Sequence, residues 1–132
     1  MKATSSTKVV AVTVLTSIDK GIMNDEVGVK GEVDKQVLRL AKLVAESGLD
    51  GIVCSGADLK LIKSKLPKDF MFVTPGIKGP NTSAGSDQKR VFTPSHAVKD
   101  GATILVIGRA ITGAKDKVKA GLEVLEDIAK VL

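Results

Sequence analysis

Four short runs of β-branched and aliphatic residues recur along the chain: Val9 to Leu15, Gly51 to Cys54, Phe70 to Val73 and Thr103 to Ile107. They are nearly continuous rather than alternating, the pattern of parallel strands covered on both faces. Helical periodicity fills the gaps between them. Val33, Val37, Leu40 and Val44 share one helix face, and Gly48 follows as a stop. Ser55 is an N-cap candidate with Asp58 three residues on, ahead of Leu59, Ile62 and Leu66. Thr93-Pro94 opens a short helix that Asp100-Gly101 ends, and a last helix is expected to bury Val118, Leu122, Leu125 and Ile128.

Strand and helix thus alternate four times. That order demands a parallel α/β sheet with right-handed crossovers. A complete (β/α)₈ barrel takes about 250 residues, and this chain has 132. The expected fold is therefore a small open α/β sheet or half of a barrel. No linker, repeat or low-complexity tract divides the chain, so residues 1–132 are expected to form one domain. The glycine-rich stretch from Gly76 to Ser86 reads as a long functional loop.

Composition narrows the function classes. No apolar run approaches the roughly 18 residues of a membrane span, and Met1 to Lys8 has no hydrophobic stretch of a signal peptide. A single cysteine, Cys54, forms no internal disulfide, which fits a reducing cytoplasm. The net charge of +5 and pI of 9.4 favour anionic partners. Three Phe and no Trp or Tyr give a poor stacking platform for nucleic acid. Lys60, Lys63, Lys65 and Lys68, the densest basic group, read as a solvated helix face. A phosphorylated small molecule is the better-matched partner.

Ligands in α/β folds bind at the C-terminal ends of the strands. Each strand here ends in a signature: Leu15-Thr16-Ser17, Val53-Cys54-Ser55, Val73-Thr74-Pro75-Gly76-Ile77-Lys78, and Val106-Ile107-Gly108-Arg109. Gly108 lets backbone approach an anion closely, and Arg109 adds a planar fork suited to phosphate oxygens. By itself the Gly-Arg pair is equally a tight turn with a surface arginine. Lone His96 reads as a surface residue, and one His with one Cys offers no metal-site spacing. Cys54 reads as a small buried hydrophobe.

Taken together, these signatures resemble bacterial orotidine 5'-phosphate decarboxylase. They are the run Val12-Thr13-Val14-Leu15-Thr16-Ser17, the Val-Cys-Ser end at Cys54, the Val-Thr-Pro-Gly-Ile loop, Asp87-Gln88-Lys89-Arg90 before Thr93-Pro94, and Val106-Ile107-Gly108-Arg109. The resemblance runs from about Val9 to Leu132 and implies the C-terminal half of a TIM barrel, strands five to eight. It implies substrate contact by Thr16, loop closure over pyrimidine and phosphate by Gln88, and phosphate binding by Gly108 and Arg109. Lys78 stands where the family has an arginine, keeping the charge without the bidentate fork. Ser55 is implied to lie near the pyrimidine.

The implied activity is conversion of orotidine 5'-monophosphate to uridine 5'-monophosphate, with no metal and no cofactor. In that family an Asp-x-Lys-x-x-Asp motif on strand three supplies the proton, with one aspartate coming from the partner subunit. No such motif occurs in this chain. Asp58-Leu59-Lys60 begins like it, but Lys63 stands where the second aspartate belongs and the segment reads as a surface helix. Asp87-Gln88-Lys89 is followed by Phe92 at the required spacing. No catalytic residue is therefore assigned, and the chain alone is expected to be inactive. It is expected to need a separate N-terminal half-barrel or to be an inactive fragment or relic. Open strand edges along Val9 to Leu15 and Thr103 to Ile107 imply assembly, either with that half or as a homodimer.

Overall fold

The computed structural model describes residues 6–80 and 92–132. Four parallel strands form one sheet in chain order: β1 (Val10–Val12), β2 (Gly51–Val53), β3 (Met71–Thr74) and β4 (Ile104–Leu105). Between and after them lie α1 (Val33–Glu46), α2 (Gly56–Ile62), α3 (Pro94–Asp100), α4 (Arg109–Thr112) and α5 (Lys117–Ala129). The predicted alternation is present. Two features were not foreseen: a single wide turn at Ile22–Glu26, closed by the Val27 N–H on the Ile22 carbonyl at 3.0 Å, and the four-residue α4.

β1, β2 and β4 are shorter than their apolar runs. The ladder at β1 ends where Thr13 turns both its N–H and its hydroxyl to the Val53 carbonyl, at 3.2 and 2.9 Å. β1 and β4 also have one neighbour each, so half their backbone groups lack a strand to bond.

The register assigns each residue to a face, because partners in a parallel pair point the same way and successive residues alternate. Ala11, Ile52 and Phe72 share one face, with Thr74 and Leu105 continuing it. Ile52 and Phe72 pack with Val37, Ala41, Leu59, Ile62 and Ala97 from the helices, all essentially buried. The opposite face carries Val10, Val12, Val53, Met71, Val73 and Ile104, none of them buried. Val12 and Ile104 remain 56% and 44% exposed. The continuous apolar runs therefore encode strands with two faces to cover, and helices cover one.

Helix boundaries follow local chemistry. α1 ends at Ser47, and Gly48 takes the left-handed conformation, φ +76°, that other residues resist. Thr93 caps α3 by accepting the His96 N–H at 3.3 Å, and Pro94 fills the first turn. α2 is amphipathic: Asp58, Leu59 and Ile62 are buried, while Lys60 and the following Lys63, Lys65 and Lys68 are exposed, the solvated face expected of them.

The last helix corrects an expectation. Val118, Leu122 and Leu125 are 75%, 54% and 62% exposed. Val124 and Asp127 face inward instead. The Asp127 carboxylate accepts the Ser95 N–H at 2.9 Å, tying α5 to the first turn of α3. Burial opposes ionisation of Asp127, but Ser95 and Lys130 outweigh it and hold the carboxyl below its usual range. A polar contact thus orients α5 and leaves its longest apolar stripe uncovered.

The tightest approach in the sheet is at Gly51, where a Cβ would lie 2.3 Å from the Met71 carbonyl oxygen. Replacing Gly51 with Ala must part β2 from β3. Urea denaturation should show a loss on the order of 1–3 kcal/mol; unchanged stability would mean the strands are not so closely apposed.

Candidate functional site

The loops at the C-terminal ends of the strands form two clefts. The first, of about 560 Å³, lies between the loop after β3 and the start of α4. Pro75 to Gly79 make one wall, with Val106 and Gly108 to Ala110 opposite. Gly76 turns the loop with φ +75°, and the Lys78 N–H bonds the Phe92 carbonyl at 3.1 Å, fixing where the loop doubles back. Lys78 is half-buried in the wall, whereas Arg109 is exposed with no carboxylate paired to it among the described residues. A Cβ built at Gly108 meets nothing within 4 Å, so open space lies directly above that backbone. Two cations flanking exposed glycine backbone make a receptor for a compact anion.

The second cleft, about 540 Å³, lies between the loop after β1, the start of α1 and the first turns of α2. Thr16 and Ser55 line it together with Glu32, Asp34, Lys35 and Asp58. The loop that walls it, between β1 and α1, is stapled by Asn24, whose amide bonds both backbone groups of Gly31 at 2.8 and 2.9 Å. Lys20 and Glu32 add an ion pair across the same loop.

The predicted residues thus divide. Lys78, Gly108 and Arg109, up to 31 positions apart, converge in the first cleft. Thr16 sits in the second, next to Ser55. Gln88 lies outside the described residues. What sequence reasoning missed is the use made of Asp58: Ser55 does not cap α2 with its side chain but donates its hydroxyl proton to the Asp58 carboxylate at 2.6 Å. The Ser-x-x-Asp spacing signalled a contact, and only the structure gives its direction.

His96 is exposed and its ring Nδ1 lies 3.1 Å from the Thr93 hydroxyl, a local helix-start contact. No cluster of three or more His, Cys, Asp or Glu side chains has metal-binding geometry among the described residues. No helix among them is long and apolar enough to cross a membrane.

Comparison with known proteins gives the arrangement a context. The family model described as orotidine 5'-phosphate decarboxylase / HUMPS family matches residues 1–124. The orotidine 5'-phosphate decarboxylase of Moorella thermoacetica is 44% identical over 123 residues, 93% of this chain and 48% of that one. The enzyme of the same name from Rhodospirillum rubrum is 50% identical over 113 residues, 86% of this chain and 45% of its own. Among solved structures, the orotidine 5'-phosphate decarboxylase of Lactobacillus acidophilus superposes with a TM-score of 0.77 at 34% identity. That match covers 94% of this chain and 50% of the other. The chain spans about half the length of the relatives it matches.

Cys54, directly after β2 and before Ser55, is 1% exposed. Burial, reinforced by the negative charge of Asp58, pushes its thiol up to about 12 from 9.0. It is packing, not a nucleophile. At pH 8 a thiol reagent should react at least about a hundredfold more slowly with native than with urea-unfolded protein. Stability should also fall as pH rises from 9.0 toward 12, because the unfolded chain releases a proton the folded chain keeps. Equal native and unfolded reaction rates would place the thiol in solvent.

Proposed function

Because the chain belongs to the orotidine 5'-phosphate decarboxylase / HUMPS family, we propose that it is the phosphate-holding, C-terminal half of an orotidine 5'-phosphate decarboxylase barrel. Residues 1–132 act as one unit. Lys78, Gly108 and Arg109 bind the 5'-phosphate of orotidine or uridine 5'-monophosphate, with Gln88 closing from the loop after β3 and Thr16 contacting the substrate. The observation that carries this reading is the convergence of Lys78 and Arg109 around the open backbone at Gly108. No metal or cofactor is assigned, and the proposed setting is the cytoplasm.

Turnover is assigned only to a completed barrel. The sequence has no Asp-x-Lys-x-x-Asp, the motif whose lysine delivers the proton in this family. Decarboxylation of orotidine 5'-monophosphate then requires the N-terminal half of the barrel. The same missing motif favours a second reading, an inactive fragment or relic that binds nucleotide phosphate alone. Co-expression with strands one to four of a relative separates the two: restored decarboxylation supports the first, and a folded but inactive complex supports the second.

Two outcomes test the shared core of both readings. Titration with inorganic phosphate or uridine 5'-monophosphate, followed by NMR at millimolar ligand, should show binding that Arg109→Ala weakens about tenfold. Lys78→Arg, which restores a bidentate fork, should tighten it. An identical titration of the Arg109→Ala variant would place the ligand elsewhere. The isolated chain should not decarboxylate the substrate; turnover above background that is lost in Arg109→Ala would refute the assignment of chemistry to the other half.

The uncovered sheet face and the stripe Val118, Leu122 and Leu125 lead us to propose assembly, with an N-terminal half or, in its absence, with a second copy. Sedimentation of the isolated chain at micromolar concentration should give a dimer or larger species. A monodisperse monomer that binds no hydrophobic dye would contradict the open half-barrel.

A further inference from the structure

A third cleft, of about 650 Å³, opens at the opposite edge of the sheet from the two strand-end clefts. α2 starts where β2 has ended and runs back, and the chain re-enters the sheet at Met71, the first residue of β3. The cleft lies along that return, against the end of α3. Leu66, Pro67 and Phe72 give it an apolar lining. Around them stand Lys60, Lys63, Lys68 and Lys99, and Asp100 is the one acid among the lining residues.

Local structure accounts for only part of that charge. Lysines near helix C-termini interact favourably with the carbonyl ends there, and the Lys60 ammonium pairs with Asp100 at 3.3 Å. The Asp100 side chain is only 12% exposed, so this pair occupies the acid from one side and leaves little of it for a second lysine. Lys63 is folded back across the end of α3, where a Cβ on Gly101 would collide with its methylenes and its ammonium group. Gly101, at φ +113°, both ends α3 and leaves room for that side chain. Lys63 is therefore held in the cleft instead of splayed into solvent. Lys63, Lys68 and Lys99 have no carboxylate paired to them among the described residues. Like charges gathered beside an apolar patch repel one another, and a bound anion relieves that repulsion. The apolar lining adds affinity for a ligand with a body to bury, and the volume is that of an ordinary small-molecule site.

We propose that this cleft is a second ligand site, for a small organic dianion carried on a flat apolar body, of the aryl phosphate class. Its charged group meets Lys63 and Lys99 at the end of α3, and its body lies on Leu66, Pro67 and the edge of Phe72. The site is independent of the phosphate cleft, because the length of the strands separates the two and both can be filled at once.

The test is titration of the Arg109→Ala chain, in which the strand-end phosphate cleft is weakened, with phenyl phosphate, inorganic phosphate and benzyl alcohol, followed by NMR of the backbone amides. Phenyl phosphate should shift the amides of Leu66, Phe72 and Asp100 and bind about tenfold tighter than either of the other two, since each of those offers only half of the recognised chemistry. Lys63→Gln combined with Lys99→Gln should weaken it about tenfold, and Lys63→Arg with Lys99→Arg should retain it. Salt supplies a readout that needs no substitution: raising the ionic strength should weaken phenyl phosphate and leave benzyl alcohol unchanged. Unmoved amides at Leu66, Phe72 and Asp100, or shifts confined to Gly108 and its neighbours, would overturn the proposal. Equal binding of inorganic phosphate or of benzyl alcohol would overturn it too, as would a glutamine pair that binds undiminished or a phenyl phosphate titration indifferent to salt. None of these outcomes bears on the strand-end phosphate cleft, whose own test is the Arg109→Ala comparison.

Discussion

One-sided burial of the sheet is the constraint from which the remaining structure follows. Ile52 and Phe72, at the centre of β2 and β3, are packed under α1, α2 and α3 with almost no exposure. Gly51 lets β2 lie tight against Met71. Once those strands are fixed, the helices must return antiparallel to them on the covered face. Each strand end then meets a loop and a helix start at the same edge. Thr16 meets Ser55 in one cleft and Lys78 meets Arg109 in another because of that geometry, although 39 and 31 positions separate the members of each pair.

The same constraint leaves the other face open. Burying even about 400 Å² of apolar surface is worth roughly 10 kcal/mol at 25 cal/mol per Å², comparable to the whole stability of an ordinary domain. Val12, Val53, Val73 and Ile104 point from that face, and Val118, Leu122 and Leu125 form a further stripe on α5. Relatives of about twice this length match over the same half-chain, and the structure superposes on half of a solved decarboxylase. The uncovered surfaces are those a closed barrel would use, which is why the sequence can look like a fully buried α/β protein while its own helices cover only part of it.

That mismatch also decides what was legible in the sequence. Local signals read well: the alternation of elements, the Gly48 stop, and the Thr93-Pro94 start all depend on nearby residues. The buried face of α5 did not, because Val118, Leu122 and Leu125 have the periodicity of a packed helix whichever surface packs them. The deciding contact, Asp127 on Ser95, joins residues 32 apart and is polar, so apolar periodicity carries no trace of it. Strand lengths failed for a related reason: Val9 to Leu15 is apolar but for Thr13, and its pairing ends there. Lys78, Gly108 and Arg109 could be named from their motifs and are found together, whereas the direction of the Ser55–Asp58 hydrogen bond lies beyond any spacing rule.

Charge shows why local placement matters more than totals. The net +5 suggests a general attraction for anions, yet Lys63, Lys68 and Lys99 gather in a separate cleft between the ends of α2 and α3, where Lys60 is already paired with Asp100 at 3.3 Å. At the ligand edge the charges nearly cancel in sum and separate in space, cations beside Gly108 and carboxylates beside Thr16. A ligand with an anionic tail and a neutral head is oriented by that separation before any single hydrogen bond forms. That separation belongs to the loops after β1 to β4, which the parallel register of the strands brings to one edge of the sheet. Proton delivery is different, since it calls for an acid at one atom of the oriented ligand, and no strand of this sheet ends in a lysine flanked by aspartates. Under the half-barrel proposal, holding the substrate and transforming it fall to different halves of the barrel, and the cleft of Lys78, Gly108 and Arg109 belongs to the holding half.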